Sequence, residues 1–219
     1  GCEHVLALGV LHGGREADAA LVSAARRGDP AARAALRRVH GPGIAGDGGH
    51  WRDEFSLDGF MALLPLAARR CARRAPTVVA RFPFLSAGDP AALPGIDELR
   101  ALIAGGCAVV ATADPVHHGV GYGTLLAAQR TGDDALALAC SSISAQLAAL
   151  AVGNHAAFAA RCAADASDFR DTGAVLAELI PGSGAIRDLI LVDYAPTLAV
   201  AAPTWVAAGL LSWRPAAGC

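Results

Sequence analysis

Asp114, His117 and His118 fall close together in "ATADPVHHGV" (111–120). An acid placed three and four residues before two imidazoles can bind a transition-metal ion or move a proton near neutral pH. The chain has only seven histidines, so two of them in one short loop mark that loop as the first candidate site. Two other places have the same character. His12 ends "LGVLH" (8–12), and "HWRDE" (50–54) brings His50 together with Asp53 and Glu54. Imidazole and carboxylate together suit Fe(II), Mn, Zn or Cu, and two His with one carboxylate form the facial set of non-haem iron centres. An uncommitted His works instead as a general acid or base. Each group also has a plainer reading. A lone His after a strand often only bonds its own loop, and Asp53 and Glu54 suit the first turn of a helix, where the dipole favours acids. His4, His40 and His155 read as structural or solvated.

The elements that must position these residues follow from periodicity. "HVLALGVL" (4–11), "TVVARFPFL" (77–85), "CAVVATA" (107–113), "RDLILVDY" (187–194) and "TWVAAGLLSW" (204–213) are short apolar runs that predict strands. "EADAALVSAARRG" (16–28) and "PAARAALRRVHG" (30–41) have helical spacing, and "SLDGFMALLPLAARRCARR" (56–74) predicts an amphipathic helix capped by Ser56 and kinked at Pro65. "DELRALIAGG" (97–106) is a short helix. Ala-rich helices are expected over 133–153, 154–169 and 172–184. "GVGYGT", directly after the two histidines, carries three glycines and reads as a loop. Strands alternating with helices predict a single α/β domain over 1–219, with a mostly parallel central sheet flanked by helices. Loops at strand ends then share one sheet edge, where such proteins keep their chemistry.

Composition narrows the function classes. The chain has 219 residues, a net charge of −2 and 54% hydrophobic residues, ample for a core. Its basic residues are all Arg, with no basic stripe interleaved with aromatics, so nucleic acid is not an expected partner. The six cysteines form no CxxC pair; they read as free thiols in a reducing, cytoplasmic setting. "YAPTLAVAAPTWVAAGLLSW" (194–213) is uncharged over a membrane-spanning length, but Pro196 and Pro203 fit strand–turn–strand better than one helix. No membrane partner is therefore expected. A GxGxxG dinucleotide loop, a Walker loop and a GxSxG elbow are all absent. A small molecule is the expected partner, and the oligomeric state is open.

Taken in order, the motifs resemble those of the Memo-like proteins, which share a fold with the class III, LigB-type extradiol ring-cleavage dioxygenases. "LGVLH" (8–12) is similar to the family's strand ending in a site histidine, at His12. "EFSLD" (54–58) resembles a helix start of the family, with Phe55 replacing a His. "ATADPVHHG" matches an S-S-D-x-x-H-x-G segment at Asp114, His117 and Gly119, and "DYAPTLAVAAPTWVAAGLL" resembles the family's last two strands. The resemblance implies a Memo/LigB-like fold and a metal-dependent oxidoreductase acting on a small, aromatic-type molecule through non-haem Fe(II) or Cu. It places the metal at His12, the one family ligand position retained, with His50, Asp53, Glu54 or His118 as the candidates to replace the missing ligands. It gives proton transfer to His117 and Asp114, with His118 as a further catalytic or ligating group. The family's P-H-A-G-Y histidine has no counterpart, which implies that an N-terminal strand of the family is lacking. Val200 stands where the family keeps a late ligand. Two alternatives therefore stay open: a metal-free acid–base enzyme (lyase, isomerase or hydrolase), and a non-catalytic subunit or interaction module.

Overall fold

A computed structural model describes residues 2–10, 24, 27, 29–32, 38–40, 55–85, 89–93 and 95–216. The chain forms two compact units, 1–112 and 113–219. Together they make a mixed α/β protein.

The first unit is built on β1 (His4–Leu8), the run "HVLAL". It is buried from Val5 to Leu8, as a strand covered on both faces must be. β1 pairs in parallel with β3 (Thr77–Phe84) on one side and β4 (Ala108–Ala111) on the other. A three-residue strand, β2 (Arg38–His40), pairs antiparallel with β3. The sheet order is β2-β3-β1-β4. Helical spacing over 30–41 is thus overridden at its end, where Arg38–His40 completes the edge of a sheet; helical backbone is seen at 30–32. Helix α1 (Asp58–Arg70) contains Pro65, as expected. Ser56 does not cap it: its hydroxyl donates to the Val10 carbonyl, and Leu57 takes the cap position with no side-chain bond. Leu57 packs with Ala7 and Phe82 in a small core, and Phe60, Val78 and Ala80 lie against it. Helix α2 (Ile96–Ala104) leads into β4 and buries Ile96 and Leu99.

The second unit departs from the parallel arrangement. Its strands β5 (His117–Gly119), β6 (Gly182–Asp193) and β7 (Thr204–Pro215) form an antiparallel sheet, ordered β5-β7-β6. Sequence periodicity identifies such strands but not their direction. Here direction is set by the chain reversal at 194–203, which is too short for a parallel crossover. Residues 194–213 are strand end, turn and strand, with Tyr194 N–H donating to the Thr204 carbonyl to close the reversal. Three helices cover this unit: α3 (Gly132–Ala151), α4 (His155–Ala164) and α5 (Phe169–Leu179). By length and composition α3 is apolar enough to cross a membrane; in this unit it buries Ile143, Leu147 and Leu150, and a Cβ added at Gly184 of β6 would strike Leu147. α4 and α5 meet through Phe158 and Phe169, edge to face at 5.6 Å. Among the described residues five cysteines are free; Cys162 is buried, Cys107 and Cys140 half-buried.

Phe158 is fully buried and lies over Gly173. Truncating Phe158 to Ala is expected to destabilise this unit by about 3–5 kcal/mol, the usual result for a buried aromatic, read as a lowered urea midpoint with an unchanged slope.

Candidate metal and proton-transfer site

Three residues of the second unit converge: Asp114, His117 and Asp168. The convergence starts from a buried charge. Asp165 follows α4, where the helix gives way to a turn of Asp165, Ala166, Ser167 and Asp168. Its carboxylate accepts from Ser142 Oγ at 2.9 Å, Gln146 Nε2 at 2.9 Å and Arg161 Nε at 3.0 Å. A buried carboxylate needs such partners, since an uncompensated one costs several kcal/mol. Gln146 Nε2 also donates to the Pro115 carbonyl at 2.9 Å. One amide nitrogen on α3 thus holds both the segment carrying Asp114 and His117 and the turn carrying Asp168.

The two segments are then clasped directly. His117 N–H donates to the Asp165 carbonyl, and Asp168 N–H to the Asp114 carbonyl, both at 3.0 Å. Ala166 is held at φ 48°, a left-handed conformation costing a non-glycine residue about 1 kcal/mol or more. Its carbonyl lies 2.6 Å from His117 Nδ1. A carbonyl only accepts, so Nδ1 carries the hydrogen and the Nε2 lone pair is left for a metal or a proton.

Nε2 points between the two acids, 3.6 Å from Asp114 Oδ2 and 3.8 Å from Asp168 Oδ2. One ligand atom from each of the three residues lies within 4.8 Å of the others. Charge-assisted hydrogen bonds run at about 2.7–2.9 Å, so these carboxylates stand off the ring. Ligands about 2.1 Å from a shared ion lie roughly 3–3.5 Å apart, so the acids would move inward by a few tenths of an ångström or more to close on one. The His117 side chain is 9% exposed, while Asp114 and Asp168 are 40% and 32% exposed. The imidazole is shielded and the acids face solvent, so an ion can enter from the carboxylate side. The group can hold a metal ion.

Electrostatics agree with the geometry. Burial alone lowers the His117 pKa. It is outweighed by the Asp114 carboxylate, the Asp168 charge and the Ala166 carbonyl, and the net shift is upward. Burial pushes the Tyr122 phenol up to about 12, with Tyr194, Asp114 and Asp168 adding to it. Tyr122 lies against His117, ring centroids 4.5 Å apart and tilted by 54°.

His118 turns elsewhere. On β5 its side chain stands on the opposite face from His117. It stacks on Trp205 at 4.8 Å, and its Nε2 accepts from the Arg130 N–H. Burial and the Arg130 charge lower its pKa. It is not in the Asp114–His117–Asp168 group. A cavity of about 480 Å³ in this unit is walled by Leu191, Asp193, Val200, Pro203 and Trp205 among others, and includes none of the three. His12, His50, Asp53 and Glu54 lie outside the described residues.

Sequence reasoning brought Asp114 and His117 forward and missed Asp168, which it placed in the tail of a helix over 154–169. The available signal was "DASDF": Ser and Asp together before an amphipathic run mark a helix boundary. Ser167 Oγ does accept from Phe169 N–H at the start of α5. Compared with known protein families, curated proteins and solved structures, the chain shows no significant match to any of them.

Two outcomes follow. Asp165→Ala strips partners from Ser142, Gln146 and Arg161 together, and is expected to cost about 3 kcal/mol in chemical denaturation. In metal-free protein the His117 pKa is raised, so its contribution to stability is complete below the ordinary imidazole value of about 6.5. That contribution is lost as pH rises through the raised value. Asp114→Asn is expected to move the His117 titration, followed by NMR of its ring protons, to lower pH and to shrink the stability difference between acid and neutral pH.

Proposed function

We propose that this chain is a metal-dependent enzyme of the Memo-like, extradiol-dioxygenase-like kind, an oxidoreductase acting on a small molecule. Asp114, His117 and Asp168 hold its divalent ion. The observation that carries the reading is the stand-off of two carboxylates around an imidazole nitrogen whose other nitrogen is committed to the Ala166 carbonyl. Metal-ligating histidines are held in this manner, because the second bond fixes the tautomer and aims the lone pair. One imidazole with two carboxylates is a hard, oxygen-rich set. It favours Fe(II), with Mn and Zn as competitors, over copper. When bound, such an ion supplies a Lewis-acidic and, for iron, redox-active centre. Ala166 orients His117, the clasp to Asp165 keeps Asp114 and Asp168 in register, and the Tyr122 ring covers one side of the imidazole. This ligand set differs from the one that the resemblance implies, which centres on His12. The free cysteines fit the cytoplasmic setting that goes with the proposal.

A second reading is favoured by the raised His117 pKa. Without a metal, an imidazolium between two carboxylates is a general acid, and the protein is an acid–base enzyme.

Metal content by elemental mass spectrometry separates the two. The expected result is iron close to one equivalent per chain after anaerobic loading, with affinity at least about tenfold weaker in Asp168→Ala and His117→Ala. No retained metal in the wild type sinks the metalloenzyme. Metal unaffected by Asp168→Ala but lost in His12→Ala moves the ion to the ligands of the resemblance.

A further inference from the structure

The glycines of "GVGYGT" follow His118 directly, and the structure shows what they hold. Gly119 lies at φ 114°, where a Cβ would collide with the Pro203 carbonyl and Thr204. A Cβ at Gly121 would run into Leu198, and Gly123 ends the turn at φ 82°. Side chains lock the same turn. Gly119 N–H donates to Thr124 Oγ1, and Gly121 N–H to the buried Thr204 Oγ1. Thr124 N–H returns to the Gly119 carbonyl. The turn 119–124 is thereby fixed tightly, with the side chains of Val120 and Tyr122 projecting from it. The ring of Tyr122 lies on His117, at a centroid distance of 4.5 Å.

The Tyr122 ring is half-buried, and its hydroxyl makes no hydrogen bond among the described residues. A phenol so firmly positioned by its backbone yet unused by its neighbours is free to bond a ligand. The groups around it decide which ligand. Asp114 and Asp168 offer acceptors only, so a cation is the first occupant that the site selects. Once an ion is held there, an anionic oxygen is the natural occupant of its open side, and the phenol O–H is the donor at hand.

We propose that Tyr122 is a substrate-contacting residue of this site, its hydroxyl donating a hydrogen bond to an anionic oxygen of a small ligand chelated to the ion. The ligand class is a compact molecule with paired oxygens, such as a 2-hydroxy acid, 2-oxo acid, hydroxamate or vicinal diol. This rests on the reading of Asp114, His117 and Asp168 as a cation site. It adds a residue that binds ligand but not metal.

The test uses the full chain loaded with Co(II), with acetohydroxamate as the oxygen-chelating probe, for wild type and Tyr122→Phe. Co(II) is followed by its visible spectrum and the probe by calorimetric titration. Phenylalanine keeps the ring over His117, and thermal unfolding checks that the fold is retained. The expected result is unchanged Co(II) affinity in Tyr122→Phe with acetohydroxamate bound about ten- to hundredfold more weakly, as for a lost hydrogen bond to a charged group. Equal probe affinity in the two proteins overturns the assignment of Tyr122 and leaves the cation site standing. Weakened Co(II) binding in Tyr122→Phe also overturns it, because the phenol then acts on the metal. Failure of the wild type to bind Co(II) overturns the cation site itself.

Discussion

Everything at the candidate site depends on one buried carboxylate. Asp165 is satisfied by Ser142, Gln146 and Arg161, drawn from two helices. With its side chain anchored there, its backbone carbonyl is available to receive the His117 N–H, and the next residue is forced into the left-handed turn that delivers a carbonyl to the imidazole. Remove the carboxylate and the turn has no reason to be strained. The energy that keeps Ala166 in an unfavourable conformation comes from a hydrogen-bonded charge a residue away. Strain at a functional site persists only where its surroundings over-determine it.

The arrangement separates two jobs. Helices α3 and α4 supply the rigid anchors, while Asp114 and Asp168 sit on short connecting segments and His117 opens β5. Ligands carried on loops are easily misplaced by an ångström, a displacement large enough to matter for metal binding and catalysis alike. Here the loops are cross-braced by main-chain bonds between 114 and 168 and between 117 and 165, so each carries the other. The antiparallel sheet adds a third support, since Ala207 N–H on β7 donates to the Val116 carbonyl between Asp114 and His117.

How much of this was legible in the sequence follows from the range of each interaction. β1, β3 and β4 are apolar runs that a period of two or continuous burial reveals, and the Ala-rich helices declare themselves over many residues. Asp114 and His117 were legible because they are three residues apart. Asp168 was not, because its partner is far along the chain and its own segment looks helical. The Ser56 cap failed for a related reason: the hydroxyl had a better acceptor at Val10. His118 shows the opposite error. Adjacent in sequence to His117, it lies on the other face of the same strand, stacked on an indole. Neighbouring residues in a strand belong to different environments, and only the pleat decides which. The antiparallel direction of β6 and β7 was equally hidden, since alternation carries no sign.

Gln146 makes the two braced segments depend on a single side chain. Its side-chain nitrogen has two hydrogens and spends them on two acceptors, Pro115 and Asp165. Glutamate has no hydrogen to offer either and would set a second carboxylate beside Asp165; asparagine falls short by a methylene. The position therefore tolerates almost no exchange while the two braced loops persist. Asp114, His117, Gln146, Asp165 and Asp168 therefore form one linked set, in which a change at Gln146 is felt at both braced segments at once.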